Sequence, residues 1–249
     1  TAIHLLRRGR SVLLIDKNAP GRETSFGNAG IIQREGVRPH AFPRDLATLM
    51  QVGLHLSTAA RYDPFALPKV TPALMRYWWE SSPNHYSHVV RTDPWTVRNP
   101  GALVAKYFEL YKSMGGHFLG GEATGLEQDG DNWTATVADT RYTAREVVVT
   151  LGPWAPEVLE PLGYRLPLFV KRGYHMHYGT QGGATLNNWL IDAEVGYCLA
   201  PMENGVRLTT GAEFALRDAA PSPIQLGRAE AKARALFPLG ERLDPQPWK

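Results

Sequence analysis

Four contiguous apolar residues, Val12, Leu13, Leu14 and Ile15, stand between polar neighbours and end at Asp16. A run of this kind predicts a strand buried on both faces, as in a parallel sheet. Residues 145–152 (REVVVTLG) carry the same signature and predict a second buried parallel strand running into Gly152, Pro153 and Trp154. Elsewhere the period becomes helical. Leu46, Leu49, Met50, Gly53 and Leu54 form one apolar stripe on a helix starting at Asp45. A second helical piece covers 72–80 and ends in Tyr77, Trp78 and Trp79. Three adjacent aromatics cannot share a helix face, so some of them must meet a second lobe, a partner or a lipid surface. Residues 102–114 form an amphipathic helix with Leu103, Tyr107, Leu110 and Tyr111 on one side, stopped by Gly115 and Gly116.

Alternation with period two takes over after that glycine pair. A strand at 117–126 is followed by a turn over 129–132 and a second strand at 133–137, predicting a hairpin. From Gly163 onward the texture is again strand-like, at 166–178, 189–192, 196–202 and 206–214, with a tight turn at 203–205. Consecutive strands joined by tight turns predict an antiparallel sheet. Residues 224–237, rich in Ala, Arg and Leu, predict a closing helix.

Composition narrows the function classes. With 249 residues, 43% of them apolar, the chain can bury a substantial core as one large domain or two interleaved lobes. The net charge of +3, from 27 basic and 24 acidic residues without a clustered basic run, gives no case for nucleic acid. It is compatible with weak attraction to an anionic membrane surface. The single cysteine, Cys198, excludes an internal disulfide framework and fits a reducing, cytoplasmic compartment. No stretch approaches the ~20 apolar residues of a membrane helix.

The candidate chemistry begins at Asp16. An acid at the carboxyl end of a parallel strand is the group that accepts hydrogen bonds from a ribose hydroxyl in dinucleotide-binding folds. The following stretch is small and flexible: Gly21, Thr24, Ser25, Gly27, Asn28, Ala29 and Gly30 around one ring, Phe26. Such a loop brings backbone against a phosphate or a flat ring. A strand followed by an ordinary Gly/Asn-rich turn reads the same residues equally well.

Residues 23–30 (ETSFGNAG) after a strand-ending acid, together with Arg172-Gly173-Tyr174-His175, resemble the FAD-dependent D-amino-acid dehydrogenases, within the D-amino-acid oxidase and glycine/sarcosine oxidase superfamily. The resemblance implies an α/β fold in which a Rossmann-like FAD-binding lobe, 1–36 with 97–163, is interleaved with an antiparallel-sheet substrate lobe, 37–96 with 164–249. It assigns Asp16, Lys17, Thr24, Ser25, Asn28, Gly30, Ile31, Ala123, Gly152, Pro153 and Trp154 to FAD, with Ala123 backbone on the adenine side. Three parts of the family pattern are not found in these residues. One is the opening G-x-G-x-x-G turn, since Thr1 to Gly9 resemble the tail of the helix that follows it. The others are a middle stretch around Pro83 to Gly101 and a closing segment that returns to the flavin. For the middle stretch, either the protein is a shortened relative or the sequence given joins separate pieces and omits what lay between; the second is the expectation.

Oxidising an amine needs an electron acceptor, which flavin supplies, and a protein that positions the substrate. An amino-acid carboxylate asks for a phenol or a guanidinium. Tyr197 sits where the superfamily often places such a tyrosine; Tyr174, His175 and Arg207 are further candidates. Alternation puts His175 and His177 on one face. No third ligand is recognisable, so no metal is expected. Cys198 alternates away from Tyr197 and reads as a small buried residue rather than a nucleophile. The implied activity is oxidative deamination of D-amino acids to 2-oxo acids and ammonia, with electrons passed to a quinone or respiratory carrier and peripheral association with the inner face of the plasma membrane. Two rivals stand beside it: an oxygen-using oxidase of glycine, sarcosine or another secondary amine, and a non-catalytic scaffold that kept the fold.

Overall fold

The computed structural model describes residues 1–22, 31–32, 42–57, 60–80, 82, 95–192 and 195–248. The first half of the chain forms α1 (Ala2–Arg7), β1 (Leu13–Asp16), β2 (Ile31–Ile32), α2 (Leu46–Gly53), β3 (Ala60–Tyr62), α3 (Leu67–Glu80) and β4 (Trp95–Thr96). Then come α4 (Pro100–Ser113), β5 (His117–Gly120), β6 (Ala123–Asp129), β7 (Asn132–Val137), β8 (Thr140–Ala144) and α5 (Ala155–Leu159). The remainder forms β9 (Lys171–Arg172), β10 (His175–Thr180), β11 (Leu190–Asp192), β12 (Tyr197–Met202), β13 (Gly205–Thr210), β14 (Ala212–Phe214), α6 (Ile224–Leu236) and β15 (Leu239–Arg242). Contacts divide the chain into two compact units, Thr1–Phe26 with Pro100–Pro167, and Gly27–Asn99 with Leu168–Lys249.

In the first unit β1 and β5 pair in parallel, Leu13 opposite His117 and Asp16 opposite Gly120, while α1 packs on α4. Tyr111 of α4 locks this arrangement. Its buried hydroxyl lies 2.9 Å from the Val12 carbonyl oxygen and 2.7 Å from that of His117, sharing one proton between the starts of both strands. The helix stops as the glycine pair predicts. Gly115 adopts φ +84°, its N–H reaches the Lys112 carbonyl and that of Gly116 reaches Tyr111, a Schellman cap. A Cβ on Gly116 would sit 2.4 Å from the Tyr111 ring, so only glycine allows the tyrosine its place. β6, β7 and β8 form an antiparallel meander that includes the expected hairpin.

Three expectations fail in this unit. β1 is not buried on both faces: Leu13 is exposed and Leu14, Ile15 and Asp16 are half-buried. The strand expected at 117–126 is two, β5 pairing with β1 and β6 with β7, with a break at Gly121 and Glu122. Residues 145–152 do not form a buried parallel strand: they are irregular, and Val147, Val148 and Leu151 are exposed. β-branched residues favour extended backbone, but a strand also needs a ladder partner, and among the described residues none lies beside this run.

The second unit is built on an antiparallel sheet of order β11-β12-β13-β10-β15. Tyr174, Met176 and Tyr178, with Val206, Leu208, Tyr197, Leu199 and Leu239, turn one face of it toward α6. That helix presents Leu226, Ala229 and Ala233 at helical spacing, and the two small residues let it lie close to the strands. A second, three-stranded sheet has order β3-β14-β9, and β2 pairs with β4.

Two helices differ from expectation. α3 begins at Leu67 rather than Pro72 and carries Pro72 inside it: proline removes one helical N–H bond and its ring crowds the carbonyl one turn earlier, yet the helix runs on to Glu80, and the Thr71 hydroxyl donates to the Leu67 carbonyl at 2.6 Å. α2 forms with Asp45 as its cap, the carboxylate accepting the Thr48 N–H at 2.8 Å, yet its stripe of Leu46, Met50 and Leu54 is exposed rather than buried.

Candidate functional site

The first unit holds cofactor candidates from distant parts of the sequence and brings two of them, Lys17 and Trp154, together. Asp16 closes β1, where its carboxylate accepts the Asn18 N–H at 3.0 Å and its carbonyl accepts the Gly121 N–H at 2.9 Å. Lys17, the next residue, places its ammonium 5.0 Å from the centre of the Trp154 ring. Trp154 belongs to a short 3-10 turn, Gly152–Trp154, and Gly152 takes φ +53° with open space where a Cβ would be. Backbone can therefore be approached closely at Gly152. Pro153 stiffens the turn, and Ala123 starts β6 opposite Val137. Thr24, Ser25, Asn28 and Gly30 lie outside the described residues. Ile31 lies in β2 opposite Thr96, in the second unit.

The second unit sorts the four catalytic candidates onto two faces of its sheet. Tyr197 and Tyr174 face α6 and are buried. The Tyr174 hydroxyl bonds to the Glu213 carboxylate and accepts the Ser222 N–H at 3.0 Å; Glu213 also pairs with Arg172 at 2.9 Å. Burial, with the bond to Glu213, raises the Tyr174 phenol above its ordinary range. Tyr197 is likewise raised, by burial and by Asp192, its cross-strand partner.

His175 and Arg207 emerge on the opposite face with His177. In the β10–β13 register His177 stands directly across from Arg207 and His175 across from Thr209. Arg207 is 5% exposed, and its Nε donates to His177 Nε2 at 2.9 Å. A guanidinium can only donate, so Nε2 is an acceptor and the ring proton sits on Nδ1. That Nδ1–H donates to Asp244 Oδ2 at 2.7 Å, and the same oxygen accepts the His177 backbone N–H at 2.9 Å. Burial alone would push the Asp244 carboxyl up; the bonds from His177 outweigh it and hold it below its usual range. His175 carries the Trp248 ring 5.1 Å away, and the two residues exchange backbone bonds of 2.9 and 3.1 Å. Burial first, then the Arg207 charge, lower His175 to about 4, so it is neutral at pH 7. Cys198 lies on this face too, with burial pushing its thiol up to about 11, far from a reactive thiolate.

No sequence signal marks Asp244 or Trp248 as part of this cluster. Alternation groups His175 with His177, but nothing local shows that the tail after β15 returns along β10.

The profile of the family described as DAO, FAD dependent oxidoreductase, matches residues 34–248. The chain belongs to this family of FAD-dependent oxidoreductases. Its fold is similar to that of glycine oxidase from Geobacillus kaustophilus, at 15% identity and a TM-score of 0.65 over 95% of this chain and 74% of that one. L-proline dehydrogenase from P. horikoshii gives 14% identity and a TM-score of 0.62, covering 97% and 76%. Iminodiacetate oxidase from Chelativorans sp. BNC1 gives 19% and 0.57, covering 98% and 78%. FAD is the cofactor of the family and of this chain. The first unit fits its adenosine side: a strand-ending carboxylate suits a ribose hydroxyl, and the open backbone at Gly152 suits close approach by a phosphate or ring. Among the described residues no helix is long and apolar enough to cross a membrane.

Proposed function

We propose that this DAO-family protein oxidises D-amino acids to 2-oxo acids and ammonia and passes the electrons to a quinone or respiratory carrier. The observation that carries the amino-acid reading is the pairing of a buried cation, Arg207, with a neutral imidazole, His175, on one face of the antiparallel sheet. A guanidinium matches a carboxylate in charge and shape. A buried imidazole that stays neutral at pH 7 does not repel a substrate ammonium, and its lone pair accepts a hydrogen bond from the amine. FAD, when bound, supplies the two-electron acceptor for the alpha C–H.

Asp16, Lys17, Gly152, Pro153, Trp154 and the backbone at Ala123 would hold the cofactor, joined by Thr24, Ser25, Asn28, Gly30 and Ile31. Arg207 would orient the carboxylate and His175 the amine. Tyr174 and Tyr197, packed behind the sheet, would stiffen the strands that carry them. Glycine, L-proline and iminodiacetate, named for the similar structures, all bear a carboxylate one carbon from nitrogen, which supports the same anchor. The D preference rests on the likeness at 23–30 and 172–175. Exposed Phe65, Met75 and Trp79 on and beside α3 support peripheral docking at a membrane surface, where a quinone would be reached.

The test is a panel of D- and L-amino acids with full-length, flavin-loaded protein and a quinone analogue, scoring 2-oxo acid and ammonia. Turnover of D-amino acids supports the proposal. Turnover restricted to glycine or secondary amines, with peroxide release, replaces it with an oxidase of such amines.

A further inference from the structure

At the end of the large sheet where β12 turns into β13, the second unit carries a pocket of about 200 Å³. Its floor is apolar, formed by Leu186, Pro201 and Val206. Pro201 and Val206 are directly opposed in the β12–β13 register, and Val206 packs in the cluster on α6, so alternation turns Arg207 to the other face of the sheet. The rim is polar and exposed: Arg98, Thr180 and Thr185. Backbone bonds pin the walls. The Glu203 N–H donates to the Arg98 carbonyl at 3.1 Å, which ties Arg98 to the β12–β13 turn. The Gln181 N–H donates to the Pro238 carbonyl at 3.0 Å and the Ala184 N–H to the Gln181 carbonyl at 3.1 Å, which fixes the loop that carries Thr185 and Leu186. Gly182 and Gly183 make the tight turn of that loop, with φ +61° and +71°. The side chain of Arg98 has no hydrogen bond, ion pair or ring contact among the described residues. The carboxylate of Glu203, the acid on the neighbouring turn, accepts a hydrogen bond from the Asn99 side chain.

We propose that this pocket binds a small aliphatic monocarboxylate, with the carboxylate on Arg98 and the threonine hydroxyls and the tail over Leu186, Pro201 and Val206. A guanidinium donates only, and its planar fork matches the two oxygens of a carboxylate. The Thr180 and Thr185 hydroxyls stand on the same rim and can donate to the same head group. One cation balances one negative charge. A phosphate dianion would exceed that charge and leave the apolar floor in water, whereas a short carbon chain covers it. Among the described residues the lining holds no acidic side chain, so nothing in it receives the ammonium of an amino acid. The ligand class is therefore the plain acid, not the amino acid proposed for the face that carries Arg207. Drug-sized ligands occupy pockets of roughly 300 Å³ and more, so the volume here suits a chain of only a few carbons.

Met202 lines the pocket opposite Gly205 in the register, so its methyl group reports occupancy locally. Full-length, flavin-loaded protein with ¹³C-labelled methionine methyls is titrated with sodium butyrate at constant ionic strength and followed by NMR. Butyramide serves as the neutral control and inorganic phosphate as the anion without a tail. Loss of the signal in Met202→Leu assigns it. The expected result is a saturable shift of the Met202 signal with butyrate, and binding weaker by about tenfold or more for butyramide and for phosphate. Arg98→Met keeps an unbranched chain and removes the charge; butyrate affinity there is expected to fall about tenfold or more. Melting temperature and flavin content establish that this variant is folded, as the exposure of Arg98 leads one to expect. A Met202 signal that butyrate leaves unmoved, or wild-type affinity in Arg98→Met, overturns the site. Equal binding of phosphate or of butyramide overturns its assignment to a carboxylate with an aliphatic tail.

Discussion

Arg207 Nε and His177 Nε2 stand 2.9 Å apart on directly opposed positions of β13 and β10. The pair assigns a tautomer without any hydrogen being located, since one partner is a donor only. It also shows how an antiparallel register turns two residues thirty positions apart into one chemical unit, with His175 beside it on the same face.

His175 gives the fold a pH dependence of known sign. Unfolded, the residue titrates near 6.5; folded, it is lowered to about 4. Below 6.5 the unfolded chain takes up a proton that the folded chain refuses. Stability from this group is therefore complete above pH 6.5 and lost progressively as pH falls toward 4, by on the order of 3 kcal/mol. Urea unfolding from pH 7 down to pH 4 should show this slope, and His175→Phe should flatten it. An unchanged slope in the variant would assign the acid sensitivity to other groups.

Arg172 and Glu213 form a pair whose side chains are 9% and 5% exposed, with Tyr174 on the same carboxylate. Removing one charge strands the other. Arg172→Met should cost about 3–5 kcal/mol, whereas Arg172→Met with Glu213→Leu together should cost much less. Denaturant midpoints of the three proteins check this; equal losses in the single and double variants contradict it.

The turn between β7 and β8 uses Ala138 at φ +43° and Asp139 at φ +66°. Both central positions are left-handed, the geometry of a type I′ turn that favours Asn-Gly. Ala138→Asn with Asp139→Gly should stabilise the protein by about 1 kcal/mol, because alanine is strained there and aspartate only tolerated. The melting temperature should rise with flavin content unchanged, and a fall would mean that these side chains make contacts worth more than the strain.

Much of this architecture was legible in the sequence because local rules carried it. The Gly115-Gly116 stop, the β6–β7 hairpin, the parity of His175 with His177 and the closing helix α6 all follow from spacing, composition and glycine chemistry. The strand expected at 145–152 did not form, since apolar β-branched residues report a preference for extended backbone but not whether a partner lies alongside. The site was legible by halves. Asp16, Lys17 and Trp154 each stand out in the sequence, and the structure joins the last two across more than a hundred residues. On the sheet, alternation could pair His175 with His177 but could not show that Tyr174 and Tyr197 lie on the other face from Arg207, because that depends on register between strands. Asp244 was invisible for the same reason.

On the proposed function, an amino acid reduces the flavin of this protein. The most direct test of this is the visible spectrum of full-length, flavin-loaded protein before and after anaerobic addition of D-alanine. Bleaching of the flavin bands, absent with L-alanine and greatly slowed in Arg207→Ala, is the predicted result. A flavin spectrum left untouched by D-alanine and by every other D-amino acid would contradict it.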